Sequence, residues 1–141
     1  MKLIYFIAAT MSAITLFSCS KEKAEKENAP LHNYINEWDI VSADGTLNDY
    51  WVTFFIQQGN NGSVFTQKKG GESYPIEQIS WSRIEKDSIK IEFAFKAFPN
   101  KWEIRALAYD NDQKMQGHYY MVDQNMPSQR VYMGAVNLKI D

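Results

Sequence analysis

Ser88-Ile89-Lys90-Ile91-Glu92-Phe93-Ala94-Phe95-Lys96-Ala97-Phe98 is the stretch that decides how this chain folds. Ile89, Ile91, Phe93 and Phe95 alternate with Lys90, Glu92, Ala94 and Lys96, the period-two pattern of a strand with one face in a core and the other in water. Residues 101–108 repeat the pattern, with Trp102, Ile104, Ala106 and Ala108 on one face. Between the two, Phe98-Pro99-Asn100 supplies turn chemistry.

Working outward, the same unit recurs along the chain. Residues 38–43 read as a strand ended by Ala43-Asp44-Gly45, and residues 50–57 as one that is apolar on both faces. Gly59-Asn60-Asn61-Gly62 after the latter is a strong hairpin signal. Further strands are expected at 63–68, before Gly70-Gly71, and at 76–84, before Glu85-Lys86-Asp87. Residues 115–122 follow Asp110-Asn111-Asp112, and 130–140 follow Met126-Pro127-Ser128. Only residues 31–36 suggest a helical turn or lid. Eight strands joined by short turns predict an all-β fold, an eight-stranded antiparallel up-and-down meander. Closure as a small barrel removes both sheet edges and is the expected form; a two-sheet β-sandwich is the alternative.

The first thirty residues read differently. Met1-Lys2 is followed by an apolar run over residues 3–17, about 22 Å long as a helix at ~1.5 Å per residue, short for a ~30 Å hydrocarbon core. A charged start, a short apolar middle and a small residue before a cut site describe an export signal. Leu16-Phe17-Ser18-Cys19 carries the chain's one cysteine, so no intramolecular disulfide can form. Nothing in the surrounding segment would hold a base beside this thiol for nucleophilic catalysis. These four residues resemble the bacterial lipobox. The resemblance implies cleavage before Cys19, diacylglycerol on its thiol and acylation of the new amino group, which anchors the protein to the outer membrane. Two or three acyl chains, at about 0.8 kcal/mol per buried methylene, hold a protein on a membrane essentially permanently. Residues 20–30 are a charged, aromatic-free tether that cannot offset its own ordering entropy. Its acidic residues resemble the surface-export signal of Bacteroidetes lipoproteins, leaving a periplasmic or a surface location open. The expected organisation is a signal peptide over 1–18, a lipidated Cys19 with its tether over 19–30, and a barrel domain over 31–141.

Several function classes are disfavoured by what the domain carries. From Leu31 onward fourteen Asp and Glu face eleven Lys and Arg, and no basic stripe supplies the footprint that nucleic-acid binding requires. His32 and His118 stand far apart with no ligand pattern around them. Asp110-Asn111-Asp112 lacks the glycine and glutamate of a calcium loop, since Met115 and Met121 occupy those places. No phosphate cradle, nucleophile elbow, Cys-x-x-Cys or spaced carboxylate pair is present. Neither an enzyme, a metal site nor a cofactor is expected. Asp87-Ser88-Ile89 resembles the O-glycosylation site of exported Bacteroidetes proteins, which marks Ser88 as a candidate for modification.

The Trp38 start, the meander and the ending from Lys114 to Asp141 resemble the calycin-type barrels, in particular small lipocalin-like domains of bacterial lipoproteins. Asn36-Glu37-Trp38 stands where that family has Gly-x-Trp. The resemblance implies a barrel that takes a small apolar or amphipathic ligand inside. Trp38, Phe54, Trp81, Phe93, Trp102 and Tyr119 would be its wall, and small residues expected to face inward (Ala106, Ala108, Gly117 and Ala135) would leave room. The competing expectation is a barrel filled by the same aromatics, since eight strands enclose a space just wide enough for side chains or one small ligand. The protein would then be an interaction or inhibitor module of the cell envelope, working through loops 58–62, 69–73 and 123–128. The sequence does not identify its protein partner. Trp51 and Phe55, opposite Phe54 and Ile56, suggest an outward apolar patch.

Overall fold

The computed structural model describes residues 33–94, 96, 98 and 100–141; Cys19, the apolar run, the tether and His32 lie outside the described residues. Eight strands follow one another: β1 (Glu37–Ala43), β2 (Tyr50–Ile56), β3 (Asn61–Lys68), β4 (Glu77–Glu85), β5 (Ser88–Phe93), β6 (Lys101–Tyr109), β7 (Lys114–Val122) and β8 (Arg130–Ile140). Each pairs antiparallel with the next, and β8 returns to β1 through pairs from Trp38↔Ile140 to Ala43↔Val136. The sheet is therefore a closed barrel and not a two-sheet sandwich. Closure gives every strand two hydrogen-bonded neighbours, so no edge is left to template aggregation.

Alternation along the strands puts the apolar positions inside. Trp38 and Ile40 of β1, Val52, Phe54 and Ile56 of β2, and Ile89, Ile91 and Phe93 of β5 are all buried in one continuous core. The turns follow local chemistry. Gly59 and Asn60 take positive φ values of 75° and 62°, the twist that matches a tight hairpin. Asp110, Asn111 and Asp112 are left-handed in succession, a conformation that Asn and Asp tolerate best among residues with a side chain. Lys114 Nζ lies 2.7 Å from Asp110 Oδ2 across this turn.

Three features depart from the sequence expectation. β5 ends at Phe93, opposite Trp102, and Ala94 after it belongs to no strand; Phe95 lies outside the described residues. Phe98 instead packs edge-on against Tyr50 and Trp102, with centroids 5.8 and 5.6 Å apart. Residues 33–36 form no helix. They do act as a lid, because Tyr34 is fully buried and Trp38 Nε1 donates to its carbonyl at 3.0 Å. A 3-10 helix (Gly45–Asp49) that no periodicity announces buries Leu47 completely.

The meander also sorts the connections by end. Residues 57–60, 86–87 and 110–113 share one end with the segment 33–36, and residues 44–49, 69–76, 123–129 and the described residues between β5 and β6 share the other.

Neighbouring positions on β2 offer a direct test of this register. Phe54 has no exposed surface and lies 5.0 Å from Phe93, whereas Trp51 is 56 % exposed. Phe54→Ala is expected to cost about 3–5 kcal/mol in denaturant unfolding. Trp51→Ala, which loses mainly the Lys69 ammonium over its ring, should cost under about 1 kcal/mol. Equal losses would mean that the two faces of β2 had been assigned wrongly.

Candidate functional site

The six side chains expected to wall a ligand chamber all point into the barrel, and none exposes more than 8 % of its surface. They run along the axis instead of ringing one space. Trp81 Nε1 donates to Gln57 O at 2.8 Å near one end, while Trp102 meets Phe98 from the connection at the other. Between the ends, Trp38 is paired with Phe54, Phe54 packs against Phe93, and Trp102 lies 5.8 Å from Tyr119. A void wide enough for a water molecule would leave accessible surface on the side chains around it. Trp38, Phe54, Ile89, Ile91, Ile104 and Tyr119 have none. The space around these rings is taken up by protein.

Both ends are stoppered as well. At one end burial pushes the Tyr34 phenol up to about 12, an effect that the Arg83 guanidinium above its ring opposes and Asp87 and Asp112 reinforce. At the other, Leu47 is held by Tyr119, whose hydroxyl donates to Asp44 O and accepts from Leu47 N at 3.4 Å. Burial raises the Tyr119 phenol too, against the hydrogen bond to the Leu47 backbone.

The loops expected to form one working surface are divided between the two ends. Residues 58–62 lie with the Tyr34 lid, and residues 69–73 and 123–128 lie at the Leu47 end. No single partner footprint can include all three without spanning the barrel's length. The expected outward apolar patch is present: Val41 and Trp51 are exposed, and Phe55 and Phe65 are half-buried around an Asp39–Thr53 hydrogen bond.

The most structured part of the surface was not singled out from the sequence. It is the outer face of β5–β8, where register stacks side chains into cross-strand rows. Glu92, Glu103, Tyr120 and Tyr132 form one row, Lys90, Arg105, His118 and Ala135 the next, and Ser88, Leu107, Gln116 and Asn137 a third. Glu103 faces outward and is nevertheless completely buried. Arg105 Nε donates to its Oε1, and Arg130 Nε lies 2.9 Å from both carboxylate oxygens. Burial alone would raise this carboxyl; the hydrogen bonds and charges of Arg105 and Arg130 outweigh it and hold the group below the usual carboxylate range.

A groove of about 450 Å³ runs between the second and third rows. Its floor is the Ala106–Gly117 backbone pair, flanked by Ala135. Gly117 is required there, because a Cβ would stand 1.9 Å from Arg105 O and 2.7 Å from Ala106 Cα. Ala135 was expected to face inward. It faces out, because β8 carries an extra residue opposite the Tyr119–Tyr120 step, which flips every side chain beyond it. His118 is exposed and its ring packs on Tyr132 at 5.6 Å. Ser88 lines the groove and is half-buried at the start of β5.

Among the described residues no three His, Cys, Asp or Glu side chains converge as metal ligands, and no helix is long and apolar enough to cross a membrane. Comparison of the chain with protein-family models, with curated proteins and with solved structures finds no match.

The Glu103 cluster predicts a specific acid response. A carboxylate whose pKa is depressed on folding contributes stability above its unfolded value, here about 4.5, and loses it as pH falls through the folded value. Glu103→Gln is expected to lower stability at neutral pH by about 1–3 kcal/mol, since the two guanidinium groups lose the anionic charge and one of the two oxygens they bond. It should also flatten the fall in melting temperature below about pH 4.5. Parallel acid profiles for the two proteins would show that the ion cluster does not couple to folding.

Proposed function

We propose that this protein is an exported, lipid-anchored interaction module of the bacterial cell envelope, in which the barrel is a filled scaffold and the outer surface is the working part. One observation carries the reading: the six aromatic side chains that would wall a ligand chamber pack against one another and their neighbours, and three of them have no accessible surface at all. A small-molecule site needs about 300–1,000 Å³ of concave space. Three grooves of this size lie on the outside of the barrel, at Gly117, at Trp51 and beside Arg130. The anchor rests on Leu16-Phe17-Ser18-Cys19 and on the position of that motif at the end of a short apolar run. No catalytic role is assigned.

A carrier of small apolar or amphipathic ligands, the habit of lipocalin-like barrels, is the second reading. It is favoured by one feature: Leu47, Tyr50, Tyr74 and Phe98 close one end as side chains drawn from three connections or their borders, and side chains can swing aside more readily than paired strands.

Two measurements separate these readings and test the anchor. Native mass spectrometry of the purified protein should give the polypeptide-plus-acyl mass alone, unchanged after incubation with a lipid extract. A non-covalent adduct that vanishes on denaturation would make the protein a carrier. A further mass of sugar at Ser88 would establish that residue as a glycosylation site. Cys19→Ala is expected to move the protein from the membrane fraction to the soluble fraction of the producing cell; retention in the membrane would overturn lipidation as the anchor.

A further inference from the structure

From the chemistry of the groove on the outer face of β6–β8, we infer that it is a binding site for an acidic sugar, a ring bearing one carboxylate and several hydroxyls. The inference rests on the reading that the surface and not the interior is the working part.

The argument begins with Arg105. Its Nε is committed to Glu103, and that carboxylate is itself buried and clamped by Arg130. The guanidinium is therefore fixed in place, while its two terminal nitrogens make no hydrogen bond among the described residues and the side chain lines the groove. Two parallel N–H groups on a planar fork match a carboxylate in bidentate geometry, and a fork already fixed loses little entropy on binding.

Apart from His118, whose ring packs on Tyr132, the polar groups in the remainder of the groove are uncharged. Ser88, Gln116 and Asn137 offer a hydroxyl and two amides, each able to donate and accept. Asn137 Nδ2 donates to Ser42 Oγ at 2.9 Å, which fixes that amide and leaves its carbonyl as an acceptor. These groups suit hydroxyls, and Arg105 is the one permanently charged cation that lines the groove. Between the two ends, Leu107, Ala135 and the side-chain-free Gly117 make a shallow apolar floor on which the C–H face of a sugar ring can lie.

Charge is distributed to match. The strands β5–β8 carry Lys90, Lys101, Arg105, Lys114, Arg130 and Lys139 against Glu92 and Glu103. On β1–β4 the balance reverses, with Glu37, Asp39, Glu77 and Glu85 against Lys68 and Arg83. The connections beside β5–β8 add Asp87, Asp110, Asp112 and Asp123 with Lys86 and Lys96, so this side is near neutral while the β1–β4 side is acidic, and an anionic ligand meets less repulsion at the groove than on the opposite side.

The test uses the isotope-labelled full-length protein in detergent micelles and follows amide shifts on addition of galacturonic acid. Neutral galactose, inorganic phosphate and an acidic peptide serve as comparisons. Shifts are expected at residues 105–107, 116–118 and 135–137. Affinity should fall roughly tenfold or more for the neutral sugar and for Arg105→Gln, the loss of one charge-assisted contact. Ala135→Leu fills the floor without touching the ion cluster and should abolish binding, and Trp51→Ala on the opposite face should change nothing. No shift with millimolar uronate, equal shifts with the neutral sugar, or the same shifts with phosphate or with the peptide would each overturn the acidic-sugar assignment. Shifts centred on Trp38 and Phe54 would instead report entry into the barrel and overturn the filled-scaffold reading itself.

Discussion

Pairing of β1 with β8 is the constraint on which the rest of this structure depends. Once the sheet closes at eight strands, its interior width is set and is just enough for side chains. Trp38, Phe54, Phe93, Trp102 and Tyr119 then have to share one column of space, and they do so as offset and edge-on ring contacts. The small inner residues Ala106 and Gly117 do not open a chamber beside them. Gly117 is consumed by the close approach of β6 and β7, where a neighbouring carbonyl already occupies the place of a side chain.

A filled interior transfers functional capacity to the outside, and the outer face of β5–β8 is organised to a degree that a merely solvated surface is not. An outward-facing carboxylate with no exposure costs desolvation energy that only its two arginines offset. That arrangement orders Arg105 and Arg130 on a face that would otherwise hold mobile side chains. The Trp51 face differs in kind, with a ring covered by a lysine and a carboxylate, Asp39, held by a threonine hydroxyl and not by arginines.

How legible all this was depends on the range of the interaction involved. Strand periodicity is local, so all eight strands could be placed and β8 was bounded correctly at both ends. The hairpins at Gly59-Asn60 and at Asp110-Asn111-Asp112 could be read from turn chemistry alone. The 3-10 helix was not legible, because Gly-Thr-Leu-Asn-Asp has no periodicity and is held by a tyrosine seventy-two residues away. The groove was not legible either. Arg105, His118 and Ala135 meet only through the register of three strands, and a single bulge in β8 decides which way Ala135 points. The aromatic residues could be placed inside, but whether they lined a space or filled it depended on packing that alternation does not encode.

The pairing that closes the barrel joins residues about a hundred positions apart, such as Trp38 with Ile140. The other strand pairs are neighbours in sequence and can form as a growing meander, but the final one must wait until β8, the last strand to be synthesised, is present. Until then β1 and the growing margin of the sheet both present unpaired backbone, and the apolar column inside has no complete wall. Folding is therefore a race between closure and association through those margins, slowed by the loop entropy of a whole-domain contact. A protein built this way gains its edge-free surface only in its last step, and it is most exposed to misassembly just before it becomes least prone to it.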